Sequence, residues 1–281
     1  MHMENKKESS ETESKKTKSL ASIIKRENKE AVSDYRNLNW TGTFWEYLEL
    51  VELNPKVVRN AYQRLFDMIA SHGTEEVEYC KRKHIKYNFF KDKGDISIYG
   101  LEENLMELMD TLKSASRHYG PERRVLLLHG PVGSSKSTIV TAIKKGLEEY
   151  SRTDDGALYS FSWKTTDDEG KEEIVPCPMN EEPLKLLPDN VREQIVDKLN
   201  QLIGEGEYQI KLDGALNPVN EFYYGNLMEK YKGDYRKVLD HVIIRRVALS
   251  EKNRVGIGTF QPKDEKSQDA TELTGDINYR K

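Results

Sequence analysis

The chain has 281 residues, 36% of them hydrophobic and 33% charged, with 44 Lys and Arg against 48 Asp and Glu for a net charge of −4. Mean hydropathy is −0.78, no apolar run approaches membrane-spanning length, and no secretory apolar core is present, so composition argues against a membrane protein and against a strongly basic nucleic-acid binder. Cys80 and Cys177 are the only cysteines, too few for a disulfide framework, and a reducing cytoplasm is the expected setting.

Residues 1–38 are rich in Lys, Glu, Ser and Thr, with Leu20, Ile23 and Ile24 as the first large apolar residues. Such a segment buries too little surface to offset its ordering entropy, so a disordered polar arm is expected, with a short helix over Leu20–Lys29 left open. Order is expected from Trp40. Thr43-Phe-Trp-Glu46 spells a capping box for a helix running to Leu53. Asn54-Pro55 then predicts an N-cap with proline at the first helical position, Val57, Val58, Ala61, Tyr62, Leu65, Phe66 and Ile69 follow at helical spacing, and Gly73 closes the helix. Trp40, Phe44, Trp45 and Tyr47 read as core rather than as a stacking surface for bases, because no basic cluster interleaves with them. Cys80–Lys93 is basic and aromatic and reads as a solvated connecting segment. Ile96–Gly100 leads into a helix with Leu101, Leu105, Leu108, Met109 and Leu112 on one face, broken at Gly120-Pro121.

Arg124–Tyr150, RVLLLHGPVGSSKSTIVTAIKKGLEEY, carries the chemistry. It predicts a buried strand over Val125–His129, a tight loop over Gly130–Ser135, and an amphipathic helix from Lys136 with Ile139, Val140, Ile143 and Leu147 at helical spacing. Gly130, Gly133, Lys136 and Ser137 fit the phosphate-loop pattern G-x-x-x-x-G-K-[ST], with Ser135 standing where the second glycine is expected. The residue types follow from polyphosphate chemistry. A loop feeding a helix offers unpaired N–H groups and the positive end of the helix dipole, and glycines let the backbone wrap closely. The candidate ATP-binding residues are Gly130, Pro131, Val132, Gly133, Ser134, Ser135, Lys136, Ser137 and Thr138. Lys136 is placed for the β- and γ-phosphates, the Ser137 hydroxyl for Mg²⁺, and Thr138 for the α-phosphate side. The flanking strand and helix are what set this loop apart from a chance Gly/Ser run.

Downstream, Ala157–Trp163 alternates like a strand, and Thr165–Lys171 reads as a hairpin tip rather than a cation site at Asp167, Asp168 and Glu169. Pro176–Pro183 is expected to be irregular, Leu184–Ile203 mostly helical with Gly204 at its end, Tyr208–Leu212 a short strand, Asn217–Asn220 a proline turn and Glu221–Tyr231 a helix. Val238–Leu249 is helix or strand by periodicity, and the rest is polar loop. The acidic strand that normally orients Mg²⁺ beside such a loop is not found: VIIRRVALSE is interrupted by two arginines and YQIKLD is weak. Asp264, Glu265, Asp269 and Asp276 read as solvated surface, no catalytic base is assigned, and Gly256-Ile-Gly258 by itself carries little weight.

Five stretches, WTGTFWEYLELVELNP, IYGLEENLMELMDTLKSAS, LLLHGPVGSSKSTIV, EEPLKLLP and RVGIGTFQPKDEKSQDATELTG, give the chain a resemblance to the N-terminal AAA+ region of PrkA-type serine protein kinases over roughly residues 39–281. The serine at 135 belongs to that family's form of the loop. The resemblance implies an α/β P-loop NTPase of the AAA+ type: a parallel sheet flanked by helices, a helical lead-in over 39–95, the nucleotide-binding domain over 96–281, and Ile98–Gly100 on the adenine and ribose side. It implies ATP and Mg²⁺ as cofactors, phosphorylation of serine in a protein substrate, and assembly as a homo-oligomer, since AAA+ folds commonly work as rings. The family's acidic strand, sensor residues and kinase-like region follow the LTG segment, so the chain is expected to be a fragment. An AAA+ remodelling or protease-associated ATPase is the alternative. Relatives carry Cys-Pro-x-His and Cys-Pro-x-Cys at two proline turns that here read Cys177-Pro-Met-Asn180 and Asn217-Pro-Val-Asn220. With one such ligand left, no zinc is expected.

Overall fold

The computed structural model describes Val32 and residues 35–260, apart from 80–81, 92–97, 99, 167–169 and 205–207. The rest of the polar arm, Cys80, Tyr99, the acidic tip at 167–169 and the acidic tail beyond residue 260 lie outside the described residues. The chain divides into two compact units, Met1–Trp40 and Thr41–Lys281. In the first, residues 35–38 form a helical turn, and Asn39 closes it by donating from its backbone and side-chain nitrogens to Tyr35 O at 3.0 and 2.8 Å.

The second unit opens with β1 (Thr41–Gly42) and α1 (Phe44–Leu53). The capping box forms as its spelling predicts: Glu46 N donates to Thr43 Oγ1 at 3.2 Å and Thr43 N donates to Glu46 Oε2 at 2.7 Å. The next helix does not begin at Pro55. Pro55–Val58 makes one 3₁₀ turn, the chain extends at Arg59, and α2 (Ala61–Ala70) starts afresh under a second capping box between Asn60 and Gln63. A second N-cap inside an apolar run competes with helix continuation, and here it wins because Asn60 and Gln63 satisfy each other's backbone N–H groups at 3.0 and 2.9 Å.

The basic aromatic stretch is structure rather than connection. It supplies the second strand of a hairpin, β2 (Thr74–Tyr79) with β3 (Arg82–Tyr87), followed by a 3₁₀ turn that buries Phe89 and Phe90. Helix α3 (Glu102–Ser116) and helix α4 (Lys136–Tyr150) complete one core. Met68 and Ile69 of α2, Phe89, Phe90, Ile98, Met109 and Leu112 of α3, and Ile139 of α4 are buried together. Val140 is 41% exposed, and the face that α4 turns to the core carries the buried Ile139 and Gly146 with the partly buried Ala142, Ile143, Leu147 and Tyr150 instead.

The remaining elements are β4 (Leu158–Thr166), β5 (Glu172–Pro176), α5 (Asp189–Ile203), α6 (Pro218–Lys230), α7 (Tyr235–Leu239) and β6 (Val242–Val247). The ambiguous run at 238–249 resolves into the end of α7 and the strand β6. Asn217-Pro218 is the N-cap and first residue of α6 rather than a free turn, with Asn217 Oδ1 accepting from Val219 N and Asn220 N. Tyr208–Leu212 forms no strand. Ile210 instead exchanges bonds with the Asn200 side chain at 2.7 and 3.1 Å, so an amide stands in for a strand partner.

The expected parallel sheet is corrected. Among the described residues the larger sheet is antiparallel throughout, in the order β1-β6-β4-β5, with Phe161 opposite Ile244, Trp163 opposite Val242 and Ser162 opposite Pro176. Only residues 167–171 separate β4 from β5, and parallel neighbours would need a crossover of about a dozen residues or more. Val125–His129 is not a strand here. The segment has no ladder partner among the described residues, and Val125 and Leu127 are 93% and 84% exposed. No helix among the described residues is long and apolar enough to cross a membrane.

Candidate phosphate-binding site

Of the predicted site residues, Gly130–Ser135 lie in the turn ahead of α4 and Lys136, Ser137 and Thr138 open the helix itself. Gly130 has φ +159° and Gly133 φ +84°. Ser135 is the N-cap of α4 at φ +56° and ψ 15°, a left-handed conformation that glycine adopts freely and other residues rarely. The geometry thus explains why a glycine is expected at 135. Ser135 provides no side-chain cap; its carbonyl accepts from Ile139 N at 2.9 Å. Pro131, Val132 and Gly133 are exposed, Ser134, Ser135 and Lys136 are half-buried, and Ser137 is exposed with Thr138 half-buried on the first turn of α4. Lys136 folds over the loop, its Nζ donating to Gly130 O at 2.8 Å, Pro131 O at 2.6 Å and Ser134 Oγ at 3.0 Å. Chemically, this is a helix N-terminus with an ammonium held beside the Ser134 hydroxyl and with Ser137 and Thr138 on its first turn, residue types suited to a phosphate chain with a divalent cation.

The other end of α4 is fastened by arginines that the sequence reading passed over. Arg246 of β6 donates to Arg152 O at 3.0 Å and Thr153 O at 2.6 Å, just past the last turn of the helix. Arg64 donates to Gly156 O and Ala157 O at 2.9 and 2.8 Å, and Arg59 to Asp155 O. Burial and the neighbouring Arg59 charge lower the Arg64 pKa to about 10, which still leaves it charged at neutral pH. The available signal was a pair of arginines inside the apolar run VIIRRV, where a buried charge must find polar partners. A second tie brings the RVGIGTF segment to the same helix. Lys144 of α4 donates to Glu251 and to Thr259 Oγ1, and Glu251 N donates to Glu148.

The two proline turns meet, although they are about 40 residues apart. Cys177 is 2% exposed and Asn220 fully buried. Asn220 Nδ2 donates to Cys177 Sγ at 3.0 Å and to Glu181 Oε2 at 2.8 Å, while its Oδ1 accepts from Trp163 Nε1 at 2.9 Å. Asn217 also donates to Glu181, and Asn180 Oδ1 accepts from Arg245 at 3.0 Å. Amides therefore fill the positions where the resemblance puts metal ligands. Among the described residues no group of three or more His, Cys, Asp or Glu is placed to hold a metal ion.

A family model, the PrkA AAA domain, matches residues 42–281. The ATP-dependent protease PrkA of Bacillus subtilis is 39% identical over 258 residues, 92% of this chain and 35% of the relative. The serine/threonine kinase YeaG of Escherichia coli is 24% identical over 183 residues, 65% of this chain and 24% of the relative. The chain thus spans about a third or less of the length of these two relatives. No solved structure matches. The extent of the family match and the identity to the Bacillus protein place the chain in the PrkA AAA family.

Proposed function

We propose that this chain is the ATP-binding module of a cytoplasmic, homo-oligomeric serine protein kinase of the PrkA type, taking ATP and Mg²⁺ at Gly130–Thr138. The observation that carries it is the Gly130–Ser135 turn closing on Lys136 at the start of α4. In this reading the N–H groups of the loop and the Lys136 ammonium bind the phosphates, and Ser137 presents its hydroxyl to the cation. Bound Mg²⁺ would neutralise charge on the β- and γ-phosphates. The base would lie toward Ile98. That residue is buried, shares the core with Ile139 of α4, and lines a cavity of about 310 Å³ with Tyr87, Phe90, Leu101 and Leu105. Support for phosphoryl transfer to protein comes from the kinase named among the relatives.

A second reading, ATP-driven work coupled to proteolysis, is favoured by the name of the Bacillus relative, whose identity is higher. Incubation with γ-labelled ATP and casein separates the two. Label on casein serine, lost in Lys136→Ala, supports the kinase reading. Free labelled phosphate with casein cleavage supports the second. Absence of ATP binding at millimolar concentration sinks both.

A further inference from the structure

An ammonium group has three N–H donors, and the loop engages Lys136 through three acceptors: Gly130 O at 2.8 Å, Pro131 O at 2.6 Å and Ser134 Oγ at 3.0 Å. Two of these are backbone and common to any sequence folded this way. Ser134 supplies the third from a side chain. Its own proton goes to Pro131 O at 2.8 Å, which leaves a lone pair for Lys136 and ties the hydroxyl to the same carbonyl that Lys136 uses. The enclosure is close. A Cβ at Gly130 would meet Ser134 Oγ at 3.0 Å and Lys136 Nζ at 4.0 Å, so glycine at 130 leaves room for the serine-to-lysine contact.

We propose that Ser134 is a positioning residue that holds the Lys136 ammonium against the loop carbonyls and thereby sets the affinity for polyphosphates. The role in affinity rests on the nucleotide reading above; the hold on Lys136 does not. A phosphate group that takes Lys136 must replace all three acceptors, and the serine hydroxyl is the one a single substitution removes. Ser134 is not among the residues with positive φ, so alanine fits its backbone without strain. Ser134→Ala therefore loosens Lys136 and tightens polyphosphate binding, whereas Ser134→Thr keeps the hydroxyl and the wild-type behaviour. The size expected from one hydrogen bond is roughly three- to tenfold in affinity.

Two measurements test this. In the first, nucleotide-free wild-type, Ser134→Ala and Ser134→Thr proteins are acetylated briefly with an N-hydroxysuccinimide ester, and each lysine is quantified by peptide mass spectrometry. Lys136 is expected to react several-fold faster in the alanine variant alone, with Lys144 and Lys145 unchanged. In the second, calorimetry with ADP and adenosine is expected to show tighter ADP binding by the alanine variant and equal adenosine binding by all three proteins. Equal Lys136 labelling in the three proteins overturns the proposal even if all of them bind ADP. Weaker ADP binding by Ser134→Ala also overturns it, because the hydroxyl would then be serving the phosphate directly. Expected labelling without any ADP binding in the wild type overturns the nucleotide reading and the role in affinity together, and leaves only the hold on Lys136 supported.

Discussion

Ser135 occupies the left-handed region at φ +56° in the turn that opens α4. A Cβ there crowds the following carbonyl by about 1–2 kcal/mol for ordinary residues, and β-branched side chains tolerate it least. Ser135→Val is expected to destabilise by about 1–2 kcal/mol in urea denaturation. Ser135→Gly should stay within about 1 kcal/mol of wild type, since relief of the strain is opposed by the freedom glycine adds to the unfolded chain. A different residue-scale effect sits at Glu182. Its half-buried carboxyl accepts from the Tyr47 hydroxyl, a neutral partner. Arg64, the guanidinium whose charge acts on Glu182, donates to the carbonyls of Val57, Arg59, Gly156 and Ala157, and Lys185 pairs with Glu181 at 3.5 Å. Burial outweighs the bonds from Tyr47 and Leu184 N and the Arg64 and Lys185 charges, and raises the Glu182 pKa from 4.5 to about 7. The folded protein thus holds the proton more tightly than the unfolded chain. The stability this contributes is full below about pH 4.5 and is lost as pH rises through 7. Thermal melts from pH 5 to 8 should show that loss in wild type and a flatter profile in Glu182→Gln.

At the scale of elements, what was legible depended on range. The capping box at Thr43 formed as spelled, because its partners are three residues apart. The box at Asn60 was equally local but was overlooked inside an apolar run, and it divides a helix expected to be continuous. The Gly130–Ser135 turn was readable down to the residue whose backbone is strained. Packing of α4 was less so. Gly146 reads as a weak point in a helix, yet a Cβ there would lie 2.7 Å from both Met68 Sδ and Phe89 Cε2, where α4 crosses α2 and the Phe89-Phe90 turn. Alanine ordinarily favours a helix over glycine by about 1 kcal/mol. Gly146→Ala is nonetheless expected to destabilise by about 1–3 kcal/mol, because overpacking exceeds that gain; a shift of the urea midpoint to higher denaturant would refute the packing argument.

Across the whole molecule, a few polar side chains join segments far apart in sequence. Arg59, just ahead of α2, Arg64 of α2 and Arg246 from β6 converge on the carbonyls that follow α4, so the helix that the Gly130–Ser135 turn leads into is anchored to both the helical core and the sheet. Asn220 does the same for β4, the Cys177 turn and α6. Asn220→Ala would leave the buried Trp163 Nε1 without its acceptor, while Glu181 Oε2 keeps the bonds from Asn217, and is expected to cost about 1–3 kcal/mol, measured by denaturation. Retention of wild-type stability would mean that water or a neighbouring group replaces the amide.

The sequence by itself determined the features whose physics is contained within a few residues: the capped helix at Thr43, the glycine-rich turn running into Lys136 and Ser137, and the hairpin between β4 and β5. Family membership was also present in five contiguous stretches of it. Only the tertiary structure decided the antiparallel sheet order, the conversion of a basic aromatic stretch into a hairpin and core, the meeting of the two proline turns, and the partners of the buried arginines. Each of these depends on which distant segments exclude water together. A buried guanidinium must find carbonyls somewhere, but nothing in VIIRRV says that they are those following α4.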